Sequence, residues 1–521
     1  MTWWQNAVVY EVYPRSFADA DGDGVGDLRG IIGRMPYLAS LGIDALWLTP
    51  FQRSPQVDQG YDISDYCAVD PLFGTLADID ELLVAAHAYG IRVLIDIVPN
   101  HTSTENAQFQ AALAAGPGSP PRRLFHFREG RADGAEPPNN WLSVFGGSAW
   151  ERARPGDAAD REWYLHLFSA GQPDWNWDDP AVGDHFEGIL RFWFDRGVDG
   201  IRVDVAHGLF KAPGLPDSPT VPTVIDGLRS NALTMDQELV HDVYRRWRRI
   251  AAEYAPERLL VGEVNLDPIR AARYTRPDEL HQSFAFVFVR LGWDPQAWVD
   301  AGTLLDAVRA DHGSAPTWAL ENHDVVRTPT RFAGGERGRR RAHAALIALL
   351  GLPGAVYVYQ GQELAVPEVD VPVDARADPM WHSGGVSRDG ARVPLPWTAD
   401  DADAHGFSAP GAARPWLPVP PDWGSFAVQA QETDAASPLS SFRAAVAARR
   451  DLVAAGALVP GAGLRWRRVG DAVLAEGPAV TVVLAMGDRP VRLPGGEVVF
   501  STEPVPRGIL PADAAAWVRT R

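Results

Sequence analysis

The stretch GIRVDVA, Gly200–Ala206, sets an apolar strand pattern against a pair of charges. Side chains alternate along a strand, so Ile201, Val203 and Val205 share one face and Arg202 and Asp204 the other. An ion pair buried in a core rarely stabilises more than apolar packing would, so the pair reads either as a satisfied core contact or as part of a site. Three further apolar runs end the same way. RLLVGEVN at Arg258 carries Glu263, PTWALENHD at Pro316 carries His323 and Asp324, and RVLIDIVPNH at Arg92 carries Asp96 within the run and His101 just beyond it. Carboxylates at the ends of several strands, joined by histidines and an arginine, favour the site. Two carboxylates flanking a glycosidic bond can cleave it, one as nucleophile and one as proton donor. Arg202 would favour the ionised form of Asp204. Glu263, between Val261 and Val264, has the more apolar setting that suits a proton donor. A third carboxylate could orient sugar hydroxyls and stabilise the positive charge of the transition state.

These residues need strands to place them. Eight strand-like runs recur: AVVYEVY near Ala7, GIDALWLTP at Gly42, the four above, SFAFVFV at Ser283 and GAVYVYQG at Gly354. Between many of them lie helical segments, such as LADIDELLVAAHAYG and HFEGILRFWFDRG. The second sets Phe186, Ile189, Leu190 and Trp193 at helical spacing and ends at Gly197. The alternation predicts an α/β fold, a parallel (β/α)8 TIM barrel, with an open doubly wound sheet as its competitor. In a barrel the charged strand ends would converge at the C-terminal mouth. Two stretches break the alternation. A Pro/Gly/Arg-rich insertion from about His101 to Gly171 shows no clear helical period, and the end of the chain reads as short strands with Gly/Pro turns. The expected divisions are a barrel over 1–103 and 171–455, an inserted subdomain over 104–170 after the third strand, and an antiparallel β domain over 456–521.

Composition excludes several classes. The chain has 521 residues, 46% hydrophobic and 22% charged, with a formal net charge of −19 that repels phosphate backbones and argues against nucleic-acid binding. The single cysteine, Cys67, rules out an internal disulfide framework. No window reaches the roughly 18 consecutive apolar residues of a membrane helix. The opening MTWWQNAVVYEVYPRSF has no secretory pattern, so a cytoplasmic location is expected. The only lysine, Lys211, does not follow a GxxxxG loop, which excludes a P-loop nucleotide enzyme. Trp141, Trp150, Trp175 and Trp177 could stack on sugars, but packing is the ordinary role of tryptophan and none is assigned to substrate.

One loop, ADADGDGVGDLRG, is acidic and glycine-rich. Asp19, Asp21, Asp23 and Gly24 match the first half of a calcium loop and Asp27 a later ligand position. The glutamate that an EF-hand needs at position twelve is Gly30, and the loop follows a strand, so an EF-hand is rejected. A solvated acidic turn and another oxygen-ligand metal loop remain; four crowded carboxylates repel without a cation, which favours metal.

DIVPNH (Asp96–His101), GIRVDVA, GEV (Gly262–Val264) and ENHD (Glu321–Asp324) resemble, in that order, the signature segments of the α-amylase family of glycoside hydrolases, family 13. GIDALWLTP, GYDISDY, QPDWNW (Gln172–Trp177) and GLPGAVYVYQGQE resemble further family segments. The resemblance implies Asp204 as nucleophile, Glu263 as general acid/base and Asp324 as transition-state stabiliser. It places Asp62, His101, Arg202 and His323 around the first sugar, with Tyr61 stacked on it. SRDGARVPLPW resembles a loop through which α-glucosidases of the family supply an arginine, here Arg392; an ordinary solvated arginine is the alternative. Asp96 is expected to hold Arg202. QPDWNW resembles the branch of oligo-1,6-glucosidases and α-glucosidases, which implies exo cleavage of short α-glucosides at the non-reducing end. Transglycosylating or isomerising relatives, such as a trehalose synthase or glucosyltransferase, are the runner-up, and a non-catalytic scaffold would have lost its carboxylates. The branch also implies calcium, with magnesium as the other candidate ion, held by Asp19, Asp21, Asp23, Asp27 and the Val25 carbonyl. Linkage, chain length and oligomeric state stay open.

Overall fold

The computed structural model describes all residues except 1, 158, 220–222, 226–227, 314 and 521. Eight strands form one parallel sheet: β1 (Val8–Val12), β2 (Ala45–Leu48), β3 (Arg92–Ile97), β4 (Gly200–Val203), β5 (Leu259–Gly262), β6 (Gln282–Ser283), β7 (Thr317–Ala319) and β8 (Ala355–Tyr359). Their order is β6-β5-β4-β3-β2-β1-β8-β7. A parallel bridge from Phe284 to Thr317 joins the two ends, which closes the sheet into a barrel. The order follows the chain around the ring, so the doubly wound alternative is excluded.

Helices cover the outside, and several start on a side-chain cap. Thr75 and Asp78 make a reciprocal capping box on Leu76–Ala88. Asp179 caps Pro180–Arg196, which buries Phe186, Ile189, Leu190 and Trp193 and stops where Gly197 turns left-handed at φ 107°. Strand alternation then sorts the barrel interior. Val9, Ala45, Leu94, Leu259 and Tyr357 belong to one apolar cluster with Trp47, Val261 and Phe284, which fills the lumen. Two residues on from Val9, Leu94 and Gly200, on the same faces, come Glu11, Asp96 and Arg202. Polarity therefore rises toward the C-terminal ends of β1, β3 and β4.

Two expectations need correction. SFAFVFV is not one strand: β6 stops at Ser283 and Phe286–Val289 is a short helix. A short apolar run looks the same in either state, and here packing of Phe288 and Val289 decides. The insertion does hold a helix, Ala107–Ala115, capped by Asn106. Only Phe109 and Ala112 of it are buried, too few to print a helical period on the sequence. The rest of the insertion includes a three-stranded antiparallel sheet built from Phe127–Glu129, Trp150–Arg152 and Glu162–Leu165. Trp141, Trp150, Trp175 and Trp177 are all buried.

The C-terminal strands Arg465–Val469, Ala472–Glu476, Val480–Ala485, Glu497–Ser501 and Ala514–Arg519 make an antiparallel sheet. It docks on the barrel through Trp517, whose Nε1 donates to the Ile347 carbonyl, and through Asp513, which accepts from Arg337 and Arg341. Among the described residues, no helix is long and apolar enough to cross a membrane.

Candidate active site

The mouth of the barrel is built around Arg202. In β4 its guanidinium is almost fully buried, yet Nη1 donates to Asp96 Oδ1 at 2.8 Å and Asp204 Oδ1 at 2.7 Å, and Nη2 to Glu263 Oε2 at 2.9 Å. Register explains the first contact, because Asp96 lies opposite Arg202 on the adjacent strand. The others follow from how β4 ends. Val205 takes φ 41°, a rare conformation for a β-branched residue. It is held there as its N–H donates to Glu263 Oε2 at 3.0 Å and the Ala206 N–H to the Glu263 carbonyl at 2.9 Å. The turn thus places Asp204 against the next strand's glutamate, in hydrogen-bonding contact. Such strain at a strand end is common where a site needs one geometry.

The Asp204 carboxyl is pushed up, first by burial and then by the charge of Glu263, against the pull of Arg202. The sequence predicts that Arg202 favours the ionised form of Asp204, and its guanidinium does pull that way, against burial and Glu263. The guanidinium is shared by three carboxylates, and the nearby charge of Glu263 disfavours the ionised form of Asp204.

Asp324 differs. Burial would raise its carboxyl, but His323 and the guanidiniums of Arg388 and Arg392 outweigh that and keep it far below the usual carboxylate range. Arg392 Nη2 and Arg388 Nη1 donate to its Oδ1 at 2.8 and 3.0 Å. His323 is pushed down to about 3 by burial, so it is neutral near pH 7. Its Nδ1 lies 2.5 Å from Glu11 Oε1 and its Nε2 2.8 Å from the Tyr61 hydroxyl. The Tyr61 ring stacks on the His323 ring at 5.3 Å between centroids.

The recess above these groups, about 820 Å³ out to open solvent, is lined by Tyr61, His101, Asp204, Glu263 and Asp324 among others. Arg202, His323 and Arg392 lie behind that surface and position it. Asp62 does not face the recess. Its carboxylate accepts from Ser54 Oγ and from the N–H groups of Val57 and Asp58, which leaves it inside its own loop. That loop presents Asp58 instead, a residue the sequence reading missed. Burial pushes Asp58 up to about 6, against Arg388 and Arg392. Arg388 was missed as well, although it lies four residues before Arg392 in the same quoted loop. It joins Asp324, Asp58 (3.2 Å) and Asp378 (2.7 Å), and so ties three loops at the recess. Glu11 carried the signal that Asp204 did, a carboxylate inside an apolar strand.

Lys211 was noticed only as an absence of nucleotide chemistry. It is fully buried, with Nζ 2.9 Å from Asp174 Oδ2, 2.9 Å from Asn100 Oδ1 and 2.5 Å from the Gly208 carbonyl. Asn100 Nδ2 in turn meets His101 Nδ1 at 3.1 Å. A lysine only donates, so Asn100 must turn its oxygen to Lys211 and its NH2 to His101. His101 Nδ1 is then an acceptor, and its Nε2 lies 3.1 Å from both the Tyr61 carbonyl and the Gln172 amide nitrogen.

The acidic loop lies after β1, apart from these groups. Asp19, Asp21 and Asp27 bring carboxylate oxygens within 4.8 Å of one another; Asp23 is not part of that group. Asp23 Oδ1 accepts from the Val25 N–H at 2.8 Å, and Asp19 accepts from the N–H groups of Gly22 and Gly24. Gly24 has φ 93°, and a Cβ there would lie 2.2 Å from the Arg414 carbonyl oxygen, so only glycine lets the loop seat against that segment. An all-oxygen carboxylate set suits a hard cation.

A barrel with carboxylates gathered at its C-terminal mouth and a β domain behind it defines a class, and the comparisons name it. The chain belongs to the α-amylase family: the model of the α-amylase catalytic domain matches residues 11–456. It is similar to a probable α-glucosidase of Rhizobium meliloti, 39% identical over 86% of this chain and 82% of that protein. It is also similar to an oligo-1,6-glucosidase of Parageobacillus thermoglucosidasius, 36% identical over 83% and 81%. Among solved structures it resembles the α-glucosyl transfer enzyme XgtA, with a TM-score of 0.91, 34% identity and full coverage of both chains.

Proposed function

We propose that this protein is a retaining, exo-acting α-glucosidase that hydrolyses the terminal non-reducing α-glucosidic bond of short α-glucosides. The observation that carries the mechanism is the single guanidinium of Arg202 bonded to both Asp204 and Glu263. In this reading Asp204 attacks C1 of the glucose, the bond from C1 to the leaving oxygen breaks, and Glu263 gives its proton to that oxygen. Water then attacks C1 of the Asp204 ester, Glu263 takes its proton, and glucose leaves with its α configuration. Asp324, kept ionised by Arg388 and Arg392, opposes the positive charge that develops on the ring. Asp58, Tyr61, His101 and Arg388 line the end of the recess that would receive the glucose hydroxyls.

Proton NMR of the first product should show α-glucose; β-glucose appearing first would exclude the two-step route. Glu263→Gln is expected to lower kcat/KM on maltose by roughly 10²- to 10⁴-fold. The loss should be smaller on 4-nitrophenyl α-glucoside, whose leaving group needs little proton donation; equal losses on both would argue against Glu263 as the acid. Products from maltose, isomaltose, sucrose and trehalose separate hydrolysis from glucosyl transfer and set the linkage preference.

The loop of Asp19, Asp21 and Asp27 is read as a structural cation site, for calcium or magnesium, with Asp23 and the Val25 carbonyl as further donors. Burial and the neighbouring aspartates push Asp23 up, which a cation would relieve. EDTA should lower the thermal unfolding midpoint and added calcium restore it; an unchanged midpoint would refute a structural ion. A cytoplasmic location fits a chain with one cysteine, half-buried and free.

A further inference from the structure

The recess has two chemically different halves. Asp58, Tyr61, His101, Asp324 and Arg388 line one, which suits the hydroxyls of a glucose ring. The other is apolar and comes from two separate hydrophobic clusters. Phe145, Val205 and Met380 belong to one, which packs the inserted segment against the barrel mouth, with Phe145 at the border of the two halves beneath the Arg388 guanidinium. Phe286 and Val289 belong to the other, continuous with the lumen, and Val325 packs on it. All six reach the recess surface.

The position of Glu263 says which part of a substrate meets these walls. In the reaction above Glu263 protonates the leaving oxygen, and Val205 is tied to it by the N–H···Oε2 bond of 3.0 Å. Phe286 and Val289 follow Glu263 in the chain, past the end of β5. The apolar half is therefore where the leaving group lies. Its polar groups are engaged in the protein: Arg290 donates to Asn265 Oδ1, its guanidinium sits over the Phe286 ring, and Asn322 Oδ1 accepts from the Asp324 N–H. A second sugar, with hydroxyls on every edge, would lose water there and meet few partners. An alkyl chain would lose only apolar hydration.

We infer that the leaving-group half of this site is built for apolar alcohols, so that alkyl α-glucosides are preferred to disaccharides. The inference rests on the α-glucosidase reading and adds the chemical class of the aglycone. Methyl, propyl, butyl and hexyl α-glucosides test it, because their leaving groups need the same proton and differ only in apolar length. The specificity constant kcat/KM should climb about two- to fourfold for each CH2 added from propyl to hexyl. Hexyl α-glucoside should exceed both maltose and isomaltose. Met380→Gln and Val289→Asn should each flatten the climb. A flat or falling series, with maltose or isomaltose the better substrate, would overturn the preference while leaving the α-glucosidase reading in place. Turnover of none of these glucosides would remove both.

Discussion

Asp204→Asn is expected to reduce turnover of 4-nitrophenyl α-glucoside by about 10⁴-fold or more, the scale seen when a nucleophile is removed from its machinery. Asparagine has nearly the shape of aspartate and keeps an oxygen for Arg202 Nη1, so the contact at 2.7 Å can persist. It also removes one of two carboxyls held close together, so the fold should not suffer. What it lacks is a carboxylate that can form an ester with C1. The aryl leaving group matters here, because it departs without much help from Glu263 and isolates the nucleophile's role. Rates and a thermal unfolding curve should be measured together. A variant that keeps more than about a hundredth of the wild-type rate would refute Asp204 as nucleophile.

Lys211→Met is expected to destabilise the protein by about 3–5 kcal/mol, the range found when one partner of a buried pair is removed. Methionine fills the space of the lysine stem, so packing changes little. The loss would come from Asp174, whose side chain has no exposure and would keep a charge with no cation beside it. Asn100 Nδ2, at 3.2 Å, and the Leu167 N–H, at 2.8 Å, would still reach that carboxylate but supply no full charge. The double variant Lys211→Met, Asp174→Asn should recover much of the loss, since replacing a buried pair by neutral groups is often tolerated. Denaturant midpoints of the two variants decide it. A single variant as stable as wild type, or a double variant worse than the single, would contradict the account.

The two residues differ in how visible they were. Asp204 announces itself because a charge in an apolar strand must be explained by burial cost, and strand alternation shows which face it takes. The same rule applies to Asp96 within its strand and would have found Glu11. Lys211, Asp58 and Arg388 lie in loops, where a charged residue is ordinary and no period ties it to a face. Asp62 shows the converse. It sits in the segment that resembles the family's, yet its backbone neighbours occupy its oxygens and the loop turns Asp58 inward instead.

The sequence by itself determined the alternation of strands with helices and the strand ends that carry carboxylates, because alternation and apolar runs are local properties of the chain, and its motifs carried the family resemblance. It also marked Asp96, Arg202, Asp204 and Glu263 as charges to be gathered together, but not Glu11, Asp58, Lys211 or Arg388. Only the tertiary structure decided how those charges divide their partners: Arg202 serves three carboxylates, so its pull on Asp204 is opposed by burial and Glu263, and two arginines from one loop keep Asp324 charged. Hydrogen bonds between residues hundreds of positions apart depend on where loops converge, and loop convergence is set by closure of the barrel, which no local pattern encodes.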